Sequence, residues 1–179
     1  TARADWIERN AGAFEPVYAA LIETLDDTVG LLLRRLDEWG LAERTIVVFT
    51  SDNGGLHVPE WHHVRVTHNT PFRADKGYNY EGGMRVPLIV RWPGRVPAGR
   101  VVDAPVNNTG WIPTLLEMVG ASAPTGLDGK SFAPGLLGGA FAEEPIFWHF
   151  PHYTNQGGRP SGAVRDGRWM LVEYYDEDR

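Results

Sequence analysis

A strand that runs straight into paired glycines constrains this chain more than any other feature. Residues 45–55 read TIVVFTSDNGG, a continuous apolar run at 46–49 followed by Asp52, Asn53, Gly54 and Gly55. An unbroken β-rich run of this kind suits a strand covered on both faces, as in parallel α/β sheets. Ligands gather outside the carboxyl ends of such strands, and there Asp52 and Asn53 offer a carboxylate and an amide oxygen. Hard oxygens of this type are the ligand chemistry of calcium or magnesium, not of zinc. The same residues also make an ordinary Asx turn. Calcium takes about 6–8 oxygens, so the pair by itself is an incomplete site, and both readings stay open.

The residues before and after this strand set the fold class. Over 15–39 the apolar residues Tyr18, Leu21, Ile22, Leu25, Val29, Leu32, Leu33 and Leu36 recur every three or four positions. That period predicts a helix with one buried stripe. Pro16 suits its first turn and Gly40 the position past its end. Helix, short turn, then buried strand is the αβ half of a parallel α/β sheet. A second core strand is expected over 86–92, a short helix over 112–119 and an aromatic strand over 146–150. Residues 163–165 and 169–175 flank Asp166 and Gly167 as a β-hairpin. The expected organisation is a leader segment at 1–14, an α/β part at 15–139 and a small β subdomain at 140–179.

Between the two core strands lie about thirty residues, longer than a compact domain leaves idle. They include Arg73-Ala74-Asp75-Lys76-Gly77-Tyr78-Asn79-Tyr80-Glu81-Gly82-Gly83-Met84-Arg85. A lysine can act as a point charge on an anion, and glycine lets backbone approach a ligand closely. The competing reading is a solvated lysine on a mobile loop. Glu81 and Arg85 are expected to tie the loop to itself. A cation site beside a fixed positive charge suits a tetrahedral anion such as a sulfate or phosphate ester.

Other features exclude more than they suggest. A length of 179 residues with 42% apolar content is enough for one domain with a core. The net charge of −6, with scattered bases, argues against nucleic acid. No run approaches the ~20 apolar residues of a membrane span, and 1–18 has no signal-peptide core. The absence of cysteine removes disulfides, thiolate metal sites and a cysteine nucleophile from this segment. His57, Glu60 and His62 fail as a zinc motif, because Pro59 interrupts them and the spacing is wrong. His149 and His152, in WHFPHY, either hydrogen-bond a polar substrate or pack among aromatics. Gly129-Lys130-Ser131 lacks the strand and first glycine of a phosphate loop. Asn107-Asn108-Thr109 is a glycosylation sequon, informative only in a eukaryotic secreted protein.

Taken together, SDNGG, NTPFRADKGYNYEGGMRVPLIVRWPG, WIPTLLEMVGASAPTGLDGKSFAPGLLGG and FWHFPHY with AVRDGRWMLVEYY resemble the C-terminal half of the sulfatase family. The resemblance runs from about Tyr18 onward. It implies part of an alkaline-phosphatase-like sandwich with a mostly parallel sheet, followed by a small antiparallel C-terminal layer. It implies that Asp52 and Asn53 complete a Ca2+ site and that Lys76 contacts the sulfate. The family's formylglycine nucleophile arises in a C/S-x-P-x-R motif. The one Ser-x-Pro here, Ser122-Ala123-Pro124, has Gly126 in place of the arginine. That nucleophile is therefore expected upstream of Thr1, and turnover by this chain alone is not expected.

The implied partner is a sulfate ester, with a sulfated glycan as the family-level guess, and such enzymes are commonly periplasmic, secreted or lysosomal. Self-association through uncovered apolar surface is expected of the isolated chain. A phosphoester or phosphonate hydrolase of the same superfamily and a non-catalytic fragment are the rival readings. Gly110 stands where the family commonly has a helix-capping aspartate, and Met170 where it usually has lysine.

Overall fold

The computed structural model describes residues 16–56 and 67–176; the leader segment and the rejected His57–Glu60–His62 motif lie outside them. Helix α1 spans Pro16–Glu38, as the apolar period predicts. A 3-10 turn, Ala42–Arg44, leads into strand β1, Val47–Thr50. Strand β2, Leu88–Arg91, lies against it, with Val47 opposite Arg91 and Thr50 opposite Leu88. Two polar contacts fasten this end of the pair, one to the 3-10 turn and one to the end of α1. The Trp92 indole N–H donates to the Glu43 carbonyl at 2.8 Å, and Arg91 Nη2 lies 3.1 Å from Asp37 Oδ1.

Two expectations fail here. The β1–β2 pair is antiparallel, not parallel. Parallel neighbours need a crossover, usually a full helix, and the described part of this connection carries only helix α2, Glu81–Met84. The stripe of α1 and both faces of β1 were expected to be buried. Ala19 and Leu36 are buried, but Leu21 is 61% exposed, Leu25 46% and Leu32 53%. β1 is half-buried and Ile89 of β2 is 59% exposed. An amphipathic stripe marks which face wants a partner, and the described residues supply no second layer to cover this one.

Helix α3, Trp111–Met118, follows a 3-10 turn at Asn108–Gly110. Gly110 provides no side-chain cap; the preceding turn leads the chain in. α3 packs on the short helix α4, Ala133–Leu136. Thr114, fully buried on α3, accepts the Phe132 backbone N–H at 3.0 Å. The Trp111 ring meets Phe132 edge-on, with centroids 4.9 Å apart.

Strands β3 (Ile146–Phe150), β4 (Ser161–Asp166) and β5 (Trp169–Tyr174) form a three-stranded antiparallel sheet in chain order. Asp166 pairs with Trp169, so the hairpin turn is Gly167-Arg168 and not Asp166-Gly167. Period-two alternation sorts this sheet into two faces. Trp148, Ala163 and Val172 share one; Phe147, Val164 and Leu171 share the other.

Candidate active site

Two loops are fused where β1 ends. The Gly54 N–H donates to the Gly83 carbonyl at 2.9 Å, and the Lys76 N–H to the Gly55 carbonyl at 3.3 Å. Asn69 bridges them with its side chain. Its Oδ1 accepts the Gly55 N–H at 2.9 Å, while its Nδ2 donates to the Gly55 carbonyl at 2.9 Å. The glycines make this approach possible. A Cβ on Gly54 would stand 1.7 Å from the Gly82 carbonyl oxygen, and one on Gly82 would stand 2.0 Å from the Ala74 carbonyl oxygen. Here the glycines admit backbone to backbone. Ala74, just ahead of Asp75 and Lys76, sits at φ 60°. That left-handed geometry costs a non-glycine residue about 1–2 kcal/mol, so the surrounding contacts must hold it.

Lys76 is half-buried at this junction, and its ammonium has no hydrogen-bond or ion-pair partner among the described residues. Asp52 is exposed and Asn53 half-buried at the strand end. Asp52 Oδ1 accepts the N–H of the next residue, Asn53, at 3.0 Å, whereas the Gly54 N–H that an Asx turn would use goes to Gly83. The Asn53 Nδ2 donates to the Gly54 carbonyl at 3.0 Å. Asp52 Oδ2 and Asn53 Oδ1 carry no hydrogen bond within the described residues. Both are hard oxygens that fit calcium. Among the described residues no cluster of three or more acidic, histidine or cysteine side chains completes such a site.

The two C-terminal histidines part company. His149 lies on the sheet face that carries Gly162, where its Nδ1 is 2.8 Å from the Tyr175 hydroxyl. The lysine loop packs on the opposite face, so His149 and Lys76 are not brought together. His152 is exposed and edge-on to Phe150, in the segment that leaves β3. That segment touches the lysine loop: a Cβ on Gly158 would stand 1.9 Å from the Gly77 carbonyl oxygen.

Sequence reasoning missed how the lysine loop is anchored. Glu81 does meet Arg85, at 3.4 Å, but Arg165 of β4 is closer, at 2.7 Å. Asn79 Nδ2 donates to the Ser161 carbonyl at 3.2 Å and to its Oγ at 3.1 Å. The Tyr80 and Tyr174 rings are 6.4 Å apart, with Arg73 over the first and Arg159 over the second. Burial, together with the hydrogen bond that its hydroxyl donates to Tyr80, pushes the Tyr174 pKa up to about 12. Asp176, bonded by Arg159 and Tyr153, is held below the usual carboxylate range. No local spacing announces pairs more than eighty positions apart.

The chain as a whole is similar to known proteins. Among solved structures, Ps i-CgsB in complex with k-i-k-neocarrahexaose superposes with a TM-score of 0.77 at 29% identity, covering 91% of this chain and 35% of that one. BT4656 in complex with its substrate D-glucosamine-2-N,6-O-disulfate gives 0.75 at 27% identity, over 91% and 32% of the two chains. A phosphonate monoester hydrolase from Silicibacter pomeroyi gives 0.66 at 27% identity, over 89% and 32%. The fold is thus the alkaline-phosphatase-like one, with the three-stranded antiparallel sheet as its C-terminal layer.

The sulfatase family model matches residues 5–121, and that of the N-sulphoglucosamine sulphohydrolase C-terminal region matches 72–179. This chain belongs to the sulfatase family. A sulfatase of Formosa agariphila is 38% identical over 181 residues, covering 90% of this chain and 32% of that protein. Mouse steryl-sulfatase is 42% identical over 144 residues, 77% of this chain and 22% of its own length. The chain therefore spans about a third or less of the curated relatives it matches.

Proposed function

We propose that this segment forms one side of the active site of a sulfuric ester hydrolase. The observation that carries the proposal is the half-buried Lys76 ammonium, without an ionic partner among the described residues, on a loop hydrogen-bonded to the Asp52–Gly55 turn. A positive charge held ready in a partly desolvated position stabilises the negative charge that grows on sulfate oxygens and the leaving group. Lys76 is thus both a catalytic and a sulfate-binding residue. Asp52 and Asn53 would contribute oxygens to a calcium ion, which supplies Lewis-acid charge neutralisation when bound. A formylglycine nucleophile belongs to sequence outside this chain.

For the substrate, a sulfated glycan is the class we favour. The support is that BT4656 is described with a sulfated glucosamine as its substrate. His152, on the segment that touches the Lys76 loop, is the better placed of the two histidines for a substrate contact. His149, on the far face, would need a substrate that reaches around the sheet.

The test uses the full-length sulfatase carrying this segment. Lys76→Ala should lower turnover of an aryl sulfate by about 10²–10³-fold, the usual cost of losing one charge-stabilising donor. Unchanged turnover would remove Lys76 from the mechanism. The phosphonate monoester hydrolase neighbour makes a second reading specific. A phosphonate monoester turned over faster than the matching sulfate ester would favour it. The 179-residue chain by itself should hydrolyse neither, and turnover above that of its own Lys76→Ala variant would refute this.

A further inference from the structure

The lysine loop is an arch whose feet stand on the C-terminal sheet. At one foot, Asn79 donates to both oxygens of Ser161, and Arg165 Nη1 holds Glu81 Oε1 at 2.7 Å. The Arg165 and Glu81 side chains are 22% and 33% exposed. Arg85, the loop's own cation, is 57% exposed and stands 3.4 Å from the same oxygen. The shorter and drier pair dominates, because solvent screens an exposed one. Glu81 also opens the short helix whose Gly82 N–H binds the Arg73 carbonyl and whose Gly83 carbonyl receives Gly54. Displacing Glu81 therefore moves both the left-handed Ala74 turn and the Asp52–Gly55 turn.

We infer that Arg165 and Asn79 are positioning residues, through which the C-terminal sheet holds the Lys76 loop in the conformation that aims its ammonium. The inference rests on the proposed role of Lys76 and extends it to residues more than eighty positions away. A functional group must be held to within about 0.5 Å, and a misplacement of about 1 Å costs up to about 10²-fold in rate. The sheet adds rigidity at Asn79 and Glu81 to an arch that carries an energetically costly backbone turn at Ala74.

The test compares Arg165→Ala and Asn79→Ala with Val164→Ala, which weakens the same strand on the face away from the loop. Two quantities are measured in the full-length protein: hydrogen exchange of the 76–79 amides, and kcat and KM for an aryl sulfate. Arg165→Ala should raise exchange of those amides and lower kcat, each about tenfold. Arg165→Lys, which keeps one donor for Glu81, should recover most of both, and Val164→Ala should change neither selectively. Exchange and kcat in Arg165→Ala no different from Val164→Ala would overturn the inference. Faster exchange with unchanged kcat would overturn it too, since loop order would not be what aims the lysine. If Lys76→Ala itself keeps full turnover, the functional reading falls separately, while the exchange data still report whether the sheet orders the loop.

Discussion

The lysine loop and the long helix are opposite cases of how a chain satisfies itself. The loop is mostly backbone, yet its groups find partners inside the chain: Gly54 with Gly83, Lys76 N–H with Gly55, Asn79 with Ser161 and Glu81 with Arg165. Helix α1 has regular internal hydrogen bonds and a well-formed apolar stripe, yet Leu21, Leu25 and Leu32 stand largely in solvent. Apolar side chains at helical spacing require a surface that must come from elsewhere. Polar loops can be ordered by a handful of directed bonds. The region that looks irregular is thus the better specified one within this chain.

The largest expected effect attacks the loop junction. Gly54→Ala should cost about 3 kcal/mol or more, because the new methyl would overlap the Gly82 carbonyl. Urea unfolding followed by near-ultraviolet dichroism would measure it, and a cost near zero would show that the junction yields easily. Asn79→Ala should cost about 1–2 kcal/mol by stranding Ser161 acceptors. Its signature is faster amide exchange in the loop with little change in α1.

On the helix, Leu25→Ala should change stability of the 179-residue chain by less than about 0.5 kcal/mol, as at an exposed site. In a full-length sulfatase that covers the stripe, the same change should cost about 2–5 kcal/mol. Equal costs in the two contexts would break the contrast between loop and helix. Light scattering of the isolated chain should also fall with Leu21→Asp if the stripe drives self-association.

The smallest effects are those of pH. Asp176, held low, contributes stability above its unfolded value and loses it as pH falls through its folded value, below about pH 4. Tyr174, raised to about 12, contributes below its unfolded value near 10 and loses that contribution as pH rises toward about 12. Melting temperatures of Asp176→Asn and Tyr174→Phe against pH would show each dependence flatten at its own end.

Much of the secondary structure was legible in the residues. The span of α1 followed from the apolar period, and β3 at Ile146–Phe150 from its aromatic run. The hairpin was found, but its turn lay one residue further on. Strand direction was not legible, because Val47–Thr50 and Leu88–Arg91 have the same apolar character in either orientation. Burial of α1 and β1 was misjudged for a related reason: hydrophobicity states a demand for cover and says nothing of which residues meet it. Asp52, Asn53 and Lys76 were named from residue type and loop context, whereas Arg165 and Asn79 went unnoticed.

Local order and chemical potential were thus settled by the chain's own text: where helices and strands form, which oxygens are hard, which cation stands in a glycine-rich loop. These depend on neighbours a few positions apart, where backbone geometry and side-chain chemistry act directly. Three-dimensional packing alone decided that β2 runs against β1, that glycines fuse two loops, and that a distant sheet anchors the lysine arch. Contacts of that kind join residues remote in sequence, and only closure of the folded chain selects which of many compatible partners meet.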